Sequence, residues 1–348
     1  MKLIAILSYF FIITSLRAQS PVNVAFISPN PKDSKNEFWT ITTSQMKYAA
    51  KDLGISLEVL YSNSHPTYYY NEVKKIVNRP EAKRPNYLVL LPTTTIISEL
   101  LSLVERTNIK IMFVNVQVSQ KDRVLVGGPR EKYKNWIGSF YPDEEQGAEL
   151  AAREVGKYCK AGSNLVTING NYISNSSVIR EKTFARVIKE LGQNLKQSLN
   201  GYWKKDRVLK MLPYIEGRYP NLCGFLVASD YMAEAIVDSK HHKYKVCSID
   251  WTSNGIRNVM EKKQVCSVGG HYLEPAFALV ALFDYHKGID FKEDIGLNLK
   301  TPFYIANQKN ATKVYESFIL NKVSLNYKKY SKFYTKRKRY NFNIFDDI

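Results

Sequence analysis

Apolar and polar positions follow one another along this chain in a steady rhythm. Short apolar runs with strand character occur at Val22 to Ser28, Ile55 to Tyr61, Tyr87 to Leu91, Lys110 to Val116, Trp136 to Phe140 and Asn164 to Asn169. They continue at Leu195 to Asn200, Leu222 to Ala228, Lys245 to Ile249, Val265 to Val268 and Thr301 to Ile305. Between most of them the apolar spacing turns helical, with Met46, Ala49, Ala50 and Leu53 on one face and Leu150, Ala151, Val155 and Tyr158 on another. Intervals of roughly 20 to 35 residues between strands fit βαβ units and parallel sheets. About 11 strands divide more naturally into two sheets of five or six than into one.

Three of these runs share a feature that locates a site. Leu222 to Ala228 ends in Ser229-Asp230-Tyr231, Lys245 to Ile249 ends in Asp250-Trp251, and Val265 to Val268 ends in Gly269-Gly270-His271. Ligands of open parallel sheets sit beyond the carboxyl ends of the strands, so three polar strand ends predict a binding cleft. In the middle of the chain, Gly127-Gly128-Pro129 and the charged residues after it read as a surface excursion. The helix opening at Pro142-Asp143-Glu144-Glu145 then starts a second lobe.

Length and composition set the setting. Lys2 followed by the apolar Leu3 to Leu16 reads as a secretory leader over 1–18, too short to favour a membrane span, so the mature chain is expected to begin near Gln19 in the periplasm. The 348 residues exceed what one core comfortably holds, which favours two lobes. The four cysteines, Cys159, Cys223, Cys247 and Cys266, permit three fully paired connectivities, and buried free thiols are equally compatible with the sequence. They lack metal-ligand spacing, so no metal is expected. The net charge of +18 and the tail from Lys328 to Arg339, with its interleaved tyrosines, raise a nucleic-acid reading. Export argues against that partner and favours a solvated basic surface that anionic lipid or polymer attracts. No nucleophile elbow, phosphate loop or HExxH motif is present, so neither an enzyme nor a cofactor is expected.

In order and spacing, several motifs together resemble the type I periplasmic solute-binding proteins, in the sugar branch typified by ribose-binding and autoinducer-2-receptor proteins. They are Val24 to Asn30 with Phe38-Trp39, Leu90 to Thr94, Gly138-Ser139-Phe140 with Gln146-Gly147, Arg180 with Phe184, Ala228 to Ala233, Ile249-Asp250-Trp251 and Gly269-Gly270-His271. The likeness implies an α/β fold of two doubly wound parallel-sheet lobes joined by a three-strand hinge. The first lobe would comprise 22–136 plus 269–300, the second 137–268 plus 301–325, with a basic aromatic tail at 326–348. It also implies a monomer that captures a sugar or sugar-like molecule for an ABC importer, or alternatively signals to a membrane histidine kinase or diguanylate cyclase.

The resemblance assigns ligand contacts residue by residue. Asn36, Phe38 and Trp39 would offer an amide and aromatic faces from the first lobe. Thr94 stands where sugar binders of this family often carry an aspartate. In the second lobe Arg180 would donate a fork of hydrogen bonds, and Ser229, in place of the usual asparagine, would reach a hydroxyl. Asp250 would accept hydrogen bonds beside a stacking wall formed by Trp251. Gly270 and His271 would border the ligand from the hinge. Because Thr94 and Ser229 depart from the family pattern, a modified sugar or small signal is as well matched as a common monosaccharide.

Overall fold

The computed structural model describes residues 21–63, 65–239, 243–320 and 325–344. The expected leader at 1–18, the His241-His242 pair and the last four residues of the tail lie outside the described residues.

Among the described residues, twelve strands form two six-stranded sheets. They are β1 Asn23–Ser28, β2 Ser56–Tyr61, β3 Tyr87–Leu90, β4 Lys110–Val114, β5 Trp136–Pro142, β6 Asn164–Asn169, β7 Asn194–Asn200, β8 Leu222–Val227, β9 Lys245–Asp250, β10 Cys266–Gly269, β11 Asn298–Thr301 and β12 Tyr304–Asn307. The first sheet runs β11-β5-β4-β3-β1-β2 and the second β12-β10-β9-β8-β6-β7. Every pairing is parallel except that of β10 with β12. The sequence reflects these positions. Central β3 is buried at every residue because helices cover both faces of a parallel sheet, whereas edge strands β2 and β7 alternate exposed and half-buried residues.

Two boundaries differ from the sequence reading. The strand beginning at Trp136 pairs with β4 and β11, so 137–142 completes the first sheet and the chain crosses only at Pro142-Asp143. The glycines and charged residues before that strand, read as a surface excursion, belong to a turn closed by the Arg130 backbone N–H to the Trp136 carbonyl. The expected single strand from Thr301 to Ile305 is two strands, one in each sheet. Pro302 lies between them, and its missing N–H suits an interruption. Together with the passage from β10 through Gly270 into the helix Glu274–His286, three crossings join the two sheets among the described residues, and the C-terminal segment 325–344 lies back on the first lobe.

Glu274–His286 is buried from Glu274 to Asp284, consistent with its apolar residues on all sides. On one side lies the helix Glu37–Leu53 of the first lobe, and over it runs the C-terminal segment. Tyr327 donates its hydroxyl to Gln45 at 2.8 Å and its backbone N–H to Asp52 at 2.9 Å. Tyr327, Tyr330 and Tyr340 are buried, and Phe342 packs on Phe277 and Tyr340. The tail is thus a strap in which the rings of Tyr327, Tyr330 and Tyr340 serve as core, which removes them as base-stacking platforms, while Tyr334 stays exposed. Lys336, Arg337, Lys338 and Arg339 remain exposed.

The cysteines form two disulfides, Cys159–Cys223 and Cys247–Cys266, with Cα separations of 5.9 and 4.7 Å. The second bridges directly opposed residues of β9 and β10, and both bridges lie in the second lobe.

Candidate binding cleft

A cavity of about 820 Å³ opens between the lobes. Its walls are the segments that follow the carboxyl ends of β1, β2, β3 and β4 on one side and of β6, β7, β8, β9 and β10 on the other. This is the position parallel-sheet geometry favours, because strand ends stop pairing there and leave loops free to carry side chains. Four of the eight described non-glycine residues with positive φ line it: Asn115, Tyr202, Trp203 and Asp250. Such conformations are costly for these residues and persist only where surrounding packing holds them.

Of the residues expected at the site, Asn36, Phe38, Trp39, Arg180, Asp250 and His271 line this cavity. Asn36 caps the helix Glu37–Leu53, accepting from the Phe38 N–H at 3.2 Å. Phe38 and Trp39 meet edge to face with centroids 5.0 Å apart, and Phe38 also packs against His271 at 4.7 Å.

Arg180 does not present a free fork. Its guanidinium pairs with both oxygens of Glu144, at 2.5 and 3.1 Å, and donates to the Ala228 carbonyl at 2.6 Å. Both partners are buried, so this pair braces the helices Glu144–Gly156 and Asn175–Glu190 beneath the cleft floor. Glu144 therefore does more than complement a helix end, a role its place in an acidic cluster concealed.

Thr94, Ser229, Trp251 and Gly270 are not among the lining residues. Thr94 lies in the turn after β3, and Leu91 takes the place at the cavity. Ser229 caps the helix Asp230–Val237, accepting from the Met232 N–H at 3.3 Å. Gly270 is the pivot of the second crossing, with φ of 95°. Trp251 is fully buried on the far side, donating from its indole to the Ser267 carbonyl at 2.9 Å and packing against Tyr304 and Phe318. It lies flat over Gly269, where any side chain would strike the ring. The expected stacking wall is instead an anchor, and it holds the neighbouring Asp250, at φ 143°, toward the cavity.

Stacking surface comes from a residue the sequence reading passed over. Trp203 follows β7 and lines the cavity, its ring pressed on Gly170, where a Cβ would not fit. Tyr202 and Tyr231 line the same side. The Gly201-Tyr202-Trp203-Lys204 turn after a strand was the available signal.

Burial governs the ionisation of the site. Asp250 has its carboxyl pKa pushed well up by burial and then by the nearby Asp230 charge, with Arg180 opposing. His271, whose Nε2 lies 3.6 Å from Asp250 Oδ1, is held well below the usual imidazole range by burial and by Arg180. Burial thus disfavours the charged form of both groups. Asp230 is wholly engaged: it accepts from Ser248 and from Ser267 at 2.8 Å, and from the Thr252 N–H at 2.8 Å. Burial nevertheless lifts its pKa to about 6. Thr252, not Asp250, caps the following helix, accepting from the Gly255 N–H at 3.1 Å.

Glu274, at the second crossing, accepts from the Asn115 N–H at 2.5 Å and from Thr301 at 3.2 Å, and burial raises its pKa to about 8. Its unfolded value is near 4.5, so the folded state holds an extra proton between those two values and loses stability as pH rises through them. The loss is about 1.4 kcal/mol per pH unit. Replacing Glu274 with Gln is expected to flatten this slope, so urea denaturation at about pH 5 and about pH 9 should show a smaller difference in the variant. Equal slopes in both proteins would reject the assignment.

Two α/β lobes with a polar, aromatic-lined cleft between them leave a space that a small molecule could occupy. The pattern of the periplasmic binding protein domain family matches residues 27–286, and the chain belongs to that family, which is periplasmic. It is a family of solute-binding proteins rather than enzymes. No curated protein matches the chain. Among solved structures, a periplasmic sugar-binding protein from Pseudomonas fluorescens is similar at 21% identity, covering 92% of this chain and 98% of its own, with a TM-score of 0.82. A galactofuranose-binding protein is 18% identical over 86% of this chain and 99% of its own, with a TM-score of 0.74. A solute-binding protein of an ABC transporter from Bacillus halodurans, with bound myo-inositol, is 16% identical over 86% of this chain and 98% of its own, with a TM-score of 0.70. At these identities the likeness establishes the fold. Among the described residues no helix is long and apolar enough to cross a membrane.

Proposed function

We propose that the protein, exported by cleavage of its leader, captures a sugar or sugar-like molecule in the periplasm and delivers it as a monomer to an ABC importer. The carrying observation is the cleft, to which each lobe contributes both aromatic faces and hydrogen-bonding groups: Asn36, Trp39 and Asn115 from one, Trp203, Asn171 and Asp250 from the other. Flat rings suit the C–H faces of a sugar, and the polar groups suit its oxygens. Three crossings let the lobes hinge over the ligand and present a new composite surface to a membrane partner. The sugar-binding proteins of similar fold support the ligand class, and the transporter association of one supports the partner.

Mass spectrometry of the small molecule released on denaturing the purified protein identifies the ligand. In calorimetric titration with that molecule, Asp250→Ala is expected to weaken binding more than tenfold, about 1.4 kcal/mol or more, with the thermal unfolding profile preserved. Unchanged affinity would remove Asp250 from the site.

A further inference from the structure

The charges around the cleft narrow the chemistry of what it holds. Four cationic side chains line the cavity, Lys35 from the first lobe and Arg180, Lys204 and Arg207 from the second, against a single carboxyl group, Asp250. Arg180 is neutralised by Glu144. Lys35, Lys204 and Arg207 have no carboxylate partner among the described residues. Arg207 is held at the cavity by the ring of Tyr202, 4.3 Å from its guanidinium carbon.

Deeper in the cleft, hydrogen-bonding capacity also leans toward donation. Asn115 Nδ2 is buried, borders the cavity and has no partner, and an amide nitrogen only donates. His271 Nδ1 is also buried and unpartnered at the cavity, and donates or accepts according to the tautomer of the ring. Buried polar groups without partners carry a free-energy cost that a complementary ligand would relieve. A neutral polyol carries no charge to answer cations, whereas the lining of this cleft carries more cations than carboxyl groups.

We infer that the ligand is a sugar or polyol bearing an oxyanion, carboxylate or phosphate, whose charge is held between Lys35 of one lobe and Lys204 and Arg207 of the other. The inference rests on the proposed binding function and assigns its ligand class. D-Allose and myo-inositol, bound in two proteins of similar fold, are uncharged, so this cleft departs from them in what it demands. Positive groups on both lobes oppose closure until an anion bridges them, which makes closure itself selective for charged ligands.

The test is a calorimetric series of matched compounds with the ligand-stripped protein: glucose, glucuronate and glucose 6-phosphate; galactose and galacturonate; myo-inositol and inositol 1-phosphate; and inorganic phosphate alone. At least one anionic compound is expected to bind about tenfold or more tightly than its neutral parent. Added salt should weaken that binding, and the double variant Lys204→Gln/Arg207→Gln should reduce it by about tenfold or more. Carboxylate and phosphate arms separate the two oxyanions. A neutral parent that binds as tightly as its anionic partners overturns the charge assignment and leaves the sugar-binding function standing. If no compound binds at about 1 mM, both fail.

Discussion

Replacing Arg180 with methionine is expected to destabilise the protein by about 3–5 kcal/mol, because it strands Glu144 as a buried charge without its counter-ion. Glu144 is fully enclosed and has both oxygens committed to the guanidinium. Glu144→Met should cost a similar amount by leaving the arginine unneutralised. The double change Arg180→Met/Glu144→Met removes both charges, and much of the lost stability should return, since well-packed apolar residues often equal a buried ion pair. Urea denaturation of all four proteins measures the coupling. A single variant as stable as the parent would show that the pair does not brace the second lobe.

Asp284→Ala is expected to have an effect of the same size on the opposite lobe. This fully buried carboxylate accepts from Ser331 Oγ at 2.5 Å, from the N–H groups of Lys332 at 2.6 Å and Phe333 at 3.3 Å, and from the Tyr340 hydroxyl at 3.0 Å. Its removal leaves these donors without an acceptor beneath the strap, a loss of about 3–5 kcal/mol. Released strap residues would also uncover Phe277 and Phe283, which stack against Tyr330 and Tyr334. Limited proteolysis should therefore cut the variant within 325–344 first, while the parent resists. Equal resistance would show that the strap is held chiefly by its apolar contacts.

The fold was largely legible because parallel sheets buried on both faces demand continuous apolar strands, and ten of the sequence-derived runs coincide with single observed strands to within two residues at each end. The split at Pro302 was missed because Thr301 and Phe303 to Ile305 are apolar or β-branched enough to read through it. Of the residues expected at the site, Asn36, Phe38, Trp39, Arg180, Asp250 and His271 line the cavity, all on segments that follow or end a strand. Trp251 was not, because a strand-end position fixes where the backbone stops and not which way a ring turns. A positive φ at both Asp250 and Trp251 sends the two side chains to opposite surfaces. Arg180's commitment to Glu144, 36 positions away, could not be read from spacing, because it depends on how two helices pack. Similarly, the tail's tyrosines and lysines read as a solvated or nucleic-acid-binding stripe until Asp284 and Gln45 supplied partners from distant helices.

The interleaving of the lobes sets an order of assembly. The second sheet draws on residues 164–269 and needs only β12 from later in the chain, whereas the first sheet, begun at Asn23, is completed at its far edge by β11. Its covering helix Glu274–His286 follows every strand of the second sheet except β12, and the strap over that helix comes later still. Contacts spanning so much sequence close slowly. As the chain emerges from N to C terminus, the lobe made first is therefore finished last, with the apolar face beneath Glu274–His286 open to water meanwhile. That face is where a holding chaperone would bind the newly made protein, and where aggregation would begin without one.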